Sequence, residues 1–535
     1  MSKGKPVLCR TVGEWVLHSD HSYSEPFADV QVGAAFTAPS GKVYTMPGFF
    51  DVEGTWRVRF CPGEVGRWTV QISARPENPE LRQASTFEVV PSEARGALRV
   101  TPGEAWGFCF ESGEPAFLLG DTTYNLFGMA HCGGDVEGFL QRRAEQGFDV
   151  LRVRCQVSPF HPPESHSEWQ TQRTWPWGGS EQSPRFDRFN LDWFRTVDRI
   201  VLAAEALGIG FEMIMEAWGF EFPFNNRAVF VTEWEELWLR YLIARYDAYN
   251  SVYFWTLMNE YEFYPNGDWR HSPVADRWAM RIARWVKALA PHGHVVSVHN
   301  GPRHPPFARR FAADVGAVDA IMFQEWGSGG KDDGWLAAGI EEQIVQSFEG
   351  WPGSALFVEY GYERNPELLL TFPGFDHCDG NHTRRGAWRG ACCAMGVMNG
   401  FENTWGPVMN LEQDQEGVVY LRRVKDFFTR IVPFEQLQVA HDLVVAEDVA
   451  RGHRPLALAS ASRDLVVAYL PVGGIVTLGL RVEKAFLRAR WYDPRTGDLF
   501  DAAVADGAGL TFVAPEGTDA KGWPLDWVLV LEEQE

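Results

Sequence analysis

The chain has 535 residues, 45% of them apolar and 14% aromatic, with 23 Trp, 49 Lys+Arg against 71 Asp+Glu and a formal charge of −22. That apolar share builds real cores in about three domains and excludes a disordered or collagen-like chain. The acidic excess repels phosphate backbones and anionic lipid heads, which argues against nucleic acid and membrane surfaces as partners and leaves neutral ligands such as sugars open. No run reaches the roughly 18 apolar residues of a membrane span. The N-terminus, Met1 to Leu8, turns polar too soon for a signal peptide, so a cytoplasmic location is expected. The eight cysteines form no C-x-x-C pair, which argues against a disulfide framework or a zinc site; Cys392 and Cys393 read as core packing.

Residues 1–97 alternate apolar and polar side chains in short segments over 55–60, 66–72 and 85–90, the pattern of an antiparallel β-sandwich. From 98 to 432 the texture becomes apolar strands alternating with helices. Strands are predicted over 116–120, 150–154, 210–215, 252–258, 295–298, 320–323, 355–358 and 400–404, with helices over 192–207, 233–247, 276–290 and 384–398. Eight strand–helix units fit a (β/α)8 barrel better than a doubly wound sheet. Residues 433–535 return to short strands around the turn at Asp493 to Gly497, a second sandwich. The expected fold is an α/β TIM barrel between two antiparallel β-sandwiches.

Functional groups of such a barrel project from the C-terminal ends of its strands. Strand one ends in Asp121. Strand two carries Arg152 and Arg154, with His161 in the loop beyond, and strand three ends in Glu216 and Trp218. Strand four ends in Asn259 and Glu260, strand five in His299, strand six in Gln324, Glu325 and Trp326, strand seven in Glu359, and strand eight in Trp405. Glu260 and Glu359 each terminate a strongly apolar run, where a carboxylate is expensive unless paired or useful. Glu216 is their nearest rival. Retaining glycoside hydrolysis needs two carboxyl groups about 5–5.5 Å apart, and inversion about 6.5–9.5 Å. Asp121 reads equally as a cap or a sugar contact, and Arg154 as an ion-pair partner of one of the glutamates. Trp218, Trp326 and Trp405 read as stacking surfaces for a sugar. The histidines offer no ligand set for a metal, and no Gly-rich phosphate loop opens a helix, so neither metal nor cofactor is expected.

Thr256 to Glu260 (TLMNE) on strand four, with Phe357 to Tyr360 (FVEY) on strand seven, resembles the clan A glycoside hydrolases. More narrowly, Phe117 to Thr122 (FLLGDT) followed by Arg142 to Phe148 (RRAEQGF) is similar to the opening of the apiosidase-like barrels. Gly54 to Phe60 and Trp491 to Gly497 resemble the sandwich domains that accompany them. The resemblance implies Glu260 as acid/base, Asn259 as the contact to the substrate's 2-hydroxyl and Glu359 as nucleophile. The clan's His-Tyr or Tyr after strand six is absent here, leaving His299, Gln324 and Arg154 as candidate partners of the nucleophile. The expected activity is retaining, exo-acting hydrolysis of an oligosaccharide or glycoside. A transglycosidase on the same site and a non-catalytic carbohydrate-binding barrel are the alternatives, and a homo-oligomer is possible.

Overall fold

The structure is a computed structural model and describes residues 6–157, 174–268, 272–301, 306–325, 340–365, 378–405, 410–445, 449, 452–480, 487–504 and 510–533. Residues 7–90 form two sheets of five and three strands, antiparallel apart from the short parallel pairing of Val7–Leu8. In Gly66–Arg75 every second side chain is buried, from Trp68 to Ala74, because alternate Cβ atoms point to opposite faces of a sheet. These residues meet Trp15, Phe36 and Phe60 in one core, Phe36 and Phe60 stacked at 4.0 Å.

Eight parallel strands close the barrel in chain order: Leu119–Thr122, Val150–Arg154, Gly210–Trp218, Val252–Asn259, Val295–His299, Ala320–Gln324, Ser354–Glu359 and Gly396–Gly400. They are called strands one to eight below. Helices cover the outside and side chains fill the inside, so strand four is buried at every position and reads as one apolar run. The helices carry local start and stop signals. In Leu191–Leu207 the Asn190 side chain accepts from the N–H groups of Asp192 and Trp193, Gly208 ends the helix at φ 71°, and Trp193, Val197, Ile200 and Ala204 face inward at helical spacing.

The predicted eighth strand at 400–404 is corrected. Helix Gly380–Ala391 stops at a turn through Ala394 (φ 56°), the strand is Gly396–Gly400, and Glu402–Trp405 is a helical turn beyond it. Residues 392–395 are apolar and hold no Gly or Pro, so periodicity carries the helix through the turn, and only pairing with strands one and seven locates the strand.

The barrel floor is closed by the antiparallel pair Leu98–Val100 and Phe108–Phe110, whose apolar side chains pack with Phe254, Met322, Leu356 and Met398. Above that floor a polar layer crosses the interior. Arg152 pairs with Glu212, and Thr256 Oγ1 donates to Glu212 Oε1 at 2.9 Å and lies 2.6 Å from Ser297 Oγ.

Residues 438–533 form a six-stranded and a three-stranded sheet. Buried ion pairs lock both sandwiches to the barrel. Arg245 of helix Thr232–Tyr246 donates to Asp51 and Asp198, and Arg59 donates to Asp198 and to the Arg245 carbonyl. On the other side Arg384 grips Asp526 through Nε at 3.1 Å and Nη2 at 2.8 Å.

Candidate active site

Arg152 is the hub of the strand ends. Its Nη1 donates to Glu359 Oε1 at 2.5 Å, its Nη2 to Asn259 Oδ1 and its Nε to Glu212 Oε1 at 3.3 Å, tying strands two, three, four and seven together. Burial alone would lower the pKa of this guanidinium, but Tyr124, Glu212 and Glu359 outweigh it and hold the group charged. Tyr124 OH donates to the same Oε1 of Glu359 at 2.5 Å. Burial keeps that phenol protonated well beyond its ordinary range. Tyr362 OH lies 3.1 Å from Tyr124 OH.

Glu260 follows strand four in the left-handed region, at φ 47° and ψ 59°, a conformation costing a non-glycine residue about 1–2 kcal/mol. The turn is held by its surroundings. The Glu260 N–H donates to His299 Nδ1 at 3.0 Å, and Gln324 Nε2 donates to Glu260 Oε1 at 2.9 Å. Because Nδ1 accepts, the neutral imidazole carries its proton on Nε2, which faces Glu359 Oε1 at 3.6 Å. Burial first, then the charge of Glu359, pushes the Glu260 carboxyl up to about 8. At neutral pH Glu260 is therefore an acid beside an ion-paired carboxylate. Asn259 is fully buried, and with Oδ1 taken by Arg152 its Nδ2 has no partner among the described residues.

An aromatic collar surrounds these groups. Trp218, Tyr124, Tyr362 and Trp405 form one buried cluster with Ile214, and Tyr362 stacks on Trp405 at 4.8 Å. Arg154 lies over the ring of Trp218 at 3.6 Å and over that of Tyr124 at 4.0 Å.

Of the residues singled out in the sequence, Asn259, Glu260, Glu359, His299, Gln324, Arg154, Trp218 and Trp405 converge here. Asp121 does not. It is fully buried, accepting from Arg143 Nε at 2.9 Å and Thr404 Oγ1 at 3.0 Å, and it anchors helix Val136–Glu145 to strand one instead of facing a sugar. Glu216 is also turned to protein partners: Arg227 donates to it at 2.5 Å and bridges it to Glu235, and burial raises it to about 8. Arg154 is not the ion-pair partner of Glu260 or Glu359. Its carboxylate neighbour is Glu221 at 3.7 Å, and the ion pair to Glu359 belongs to Arg152, one layer deeper on the same strand. His161 and Trp326 lie outside the described residues.

Sequence reasoning missed Tyr124, Tyr362 and the role of Arg152. A usable signal existed for Arg152: a charged residue in the middle of an apolar strand, with Glu212 at the matching height of the next strand. Tyr124 and Tyr362 carried none.

A closed barrel with an Arg-bound glutamate ending strand seven and a second glutamate following strand four, collared by aromatic rings, is the barrel of a glycoside hydrolase. The chain belongs to the apiosidase-like family, whose catalytic domain matches residues 107–424. A domain of unknown function (DUF5060) matches residues 11–75, and the "Putative collagen-binding domain of a collagenase" matches residues 440–532. Among solved structures, a Bacteroides vulgatus ATCC 8482 protein described as a "putative glycoside hydrolase" is 16% identical, with a TM-score of 0.71 over 99% of this chain and 100% of its own. A glycoside hydrolase family 5 protein from the same organism is 16% identical, with a TM-score of 0.59 over 82% of this chain and 93% of its own. At that identity the likeness establishes the fold. No curated protein matches the chain.

Proposed function

We propose that this enzyme is a retaining, exo-acting glycosidase that works by double displacement on a short oligosaccharide or glycoside. The observation that carries the reading is the division of labour between two carboxyls: Glu359 bound by Arg152 and Tyr124, and Glu260 held protonated at about 8. Two carboxyl groups whose environments set them in opposite protonation states are the requirement for acid-assisted attack.

Arg152 and Tyr124 hold Glu359 by Oε1, and its carboxylate attacks the anomeric carbon while Glu260 gives its proton to the leaving oxygen. The glycosyl–Glu359 ester forms as the glycosidic bond breaks. Glu260, now ionised, takes a proton from the water that releases the sugar and returns to its starting state. Asn259 Nδ2 supplies a donor for the hydroxyl beside the reacting carbon, and Arg152 fixes its direction. The buried collar of Trp218, Tyr362 and Trp405 favours a terminal sugar entering end-on over a polymer lying across the mouth.

The test is Glu359→Ala with an aryl-glycoside panel. Turnover is expected to vanish and to return in azide as the glycosyl azide of inverted configuration. Full turnover without azide would overturn the assignment, and internal cleavage of a long saccharide by the unaltered enzyme would overturn exo action.

A further inference from the structure

Gln324 occupies an unusual place: the last residue of strand six, almost fully buried, with its side-chain amide directed at the acid instead of the nucleophile. Asn300, the first residue after strand five, grips the Gln324 peptide from both sides. Its Oδ1 accepts from the Gln324 N–H at 3.0 Å and its Nδ2 donates to the Gln324 carbonyl at 3.1 Å. A side-chain amide that replaces two ladder hydrogen bonds leaves the peptide no freedom to rotate, so the direction of the Gln324 side chain is set at its root.

Building on the reading of Glu260 as acid/base, we propose that Gln324 is a positioning residue: by donating to Glu260 Oε1 it confines the acid's proton to Oε2 and aims the transfer, and Asn300 holds it there. A protonated carboxyl has one acceptor oxygen and one hydroxyl. With an N–H fixed on Oε1, the tautomer with the proton on that oxygen loses its hydrogen bond and faces a donor head-on. The proton therefore resides on Oε2. After transfer the same N–H meets a carboxylate, and a charge-assisted bond is the stronger one. Gln324 thus favours the ionised form that removes the proton from water, partly opposing burial.

The charged groups acting on Glu260 come from several elements: Glu359 on strand seven and Glu262 in the turn after Glu260 raise it, and Arg152 and Arg154 on strand two lower it. His299 on strand five holds its backbone. A Gln324 variant keeps every one of these groups in the chain.

The experiment follows the Glu260 carboxyl by carbon-13 NMR in glutamate-labelled full-length enzyme, with its resonance assigned by its loss in Glu260→Gln. In Gln324→Met, which keeps length and removes the donor, the Glu260 titration is expected to move upward by about one pH unit, the worth of one charge-assisted hydrogen bond. Asn300→Ala is expected to move it the same way by less, and to add nothing in the Gln324→Met background, because it acts only through Gln324. Unchanged titration in Gln324→Met with a wild-type melting temperature overturns the proposal, as does an additive effect of Asn300→Ala. If Gln324→Met does not fold, Asn300→Ala alone decides: an upward shift supports the proposal and no shift overturns it. Failure of the underlying reading looks different, since Glu260→Gln would then leave turnover of unactivated glycosides intact whatever the titration does.

Discussion

Replacing Glu260 by Gln removes an ionisation while preserving shape and the oxygen that accepts from Gln324. In the unfolded chain this carboxyl titrates near about 4.3. In the folded protein burial, then Glu359, raise it to about 8. Below the lower value both states are protonated and the residue has no effect. Between the two values the unfolded chain has released its proton and the folded protein has not, so stability falls by about 1.36 kcal/mol per pH unit and the loss is complete above the upper value. The interval amounts to about 5 kcal/mol. Glu260 is partly open to the barrel mouth, and water there reduces the loss to on the order of 3 kcal/mol. With an unfolding entropy of about 2.1 cal/mol/K per residue, a cooperative melt of this chain shifts by roughly 3 °C. Calorimetry should find Glu260→Gln more stable than wild type by that amount at about pH 9 and nearly equal at about pH 5. The same variant should lose about 10²–10⁴ in rate on glycosides with poor leaving groups and far less on dinitrophenyl glycosides, whose leaving group needs no proton. A melting difference that is the same at both pH values would refute the claim that Glu260 is stored as an acid.

Tyr124→Phe removes a hydroxyl that donates to Glu359 Oε1 at 2.5 Å, and one hydrogen bond to a charged group is worth about 1.5–3 kcal/mol, so kcat/KM should fall roughly 10–100-fold with the melting temperature nearly kept. An unchanged kcat/KM in steady-state assays would remove Tyr124 from the site. Asp526→Asn breaks a fully buried pair with Arg384 and should destabilise the C-terminal sandwich against the barrel by about 3–5 kcal/mol in urea unfolding. Burial alone would raise the pKa of Asp526, but Arg384 and then Arg385 hold it below the ordinary aspartate range. Its stabilisation is therefore present above about pH 3.9 and lost as pH falls. That acid sensitivity should shrink in the variant, and an equal acid dependence in both proteins would show that the pair does not join the two domains.

Much of the barrel was legible because a strand buried on both faces must be apolar along its whole length, and a helix between two such strands must show one apolar face. For the same reason Asn259, Glu260 and Glu359 stood out locally: a polar residue at the end of an apolar run marks the mouth. The eighth strand failed this test, since residues 392–395 are apolar in either conformation and only closure onto strand one tells them apart. Asp121 and Arg154 were found as strand-end residues, but not the partners they meet. Which partner a buried charge meets depends on what the helices and neighbouring strands bring to it, as Arg143 does for Asp121 and Glu221 for Arg154.

By itself the sequence determined the class of fold and the placement of Glu260 and Glu359 at the ends of apolar strands, because each is a property of a short stretch of chain in contact with its own neighbours. The tertiary structure alone decided which side chains meet each carboxyl. Tyr124 and Arg152 reach Glu359 across 235 and 207 residues, and Gln324 reaches Glu260 across 64. Barrel closure brings these groups together, and a contact between residues so far apart in the chain has no local signature.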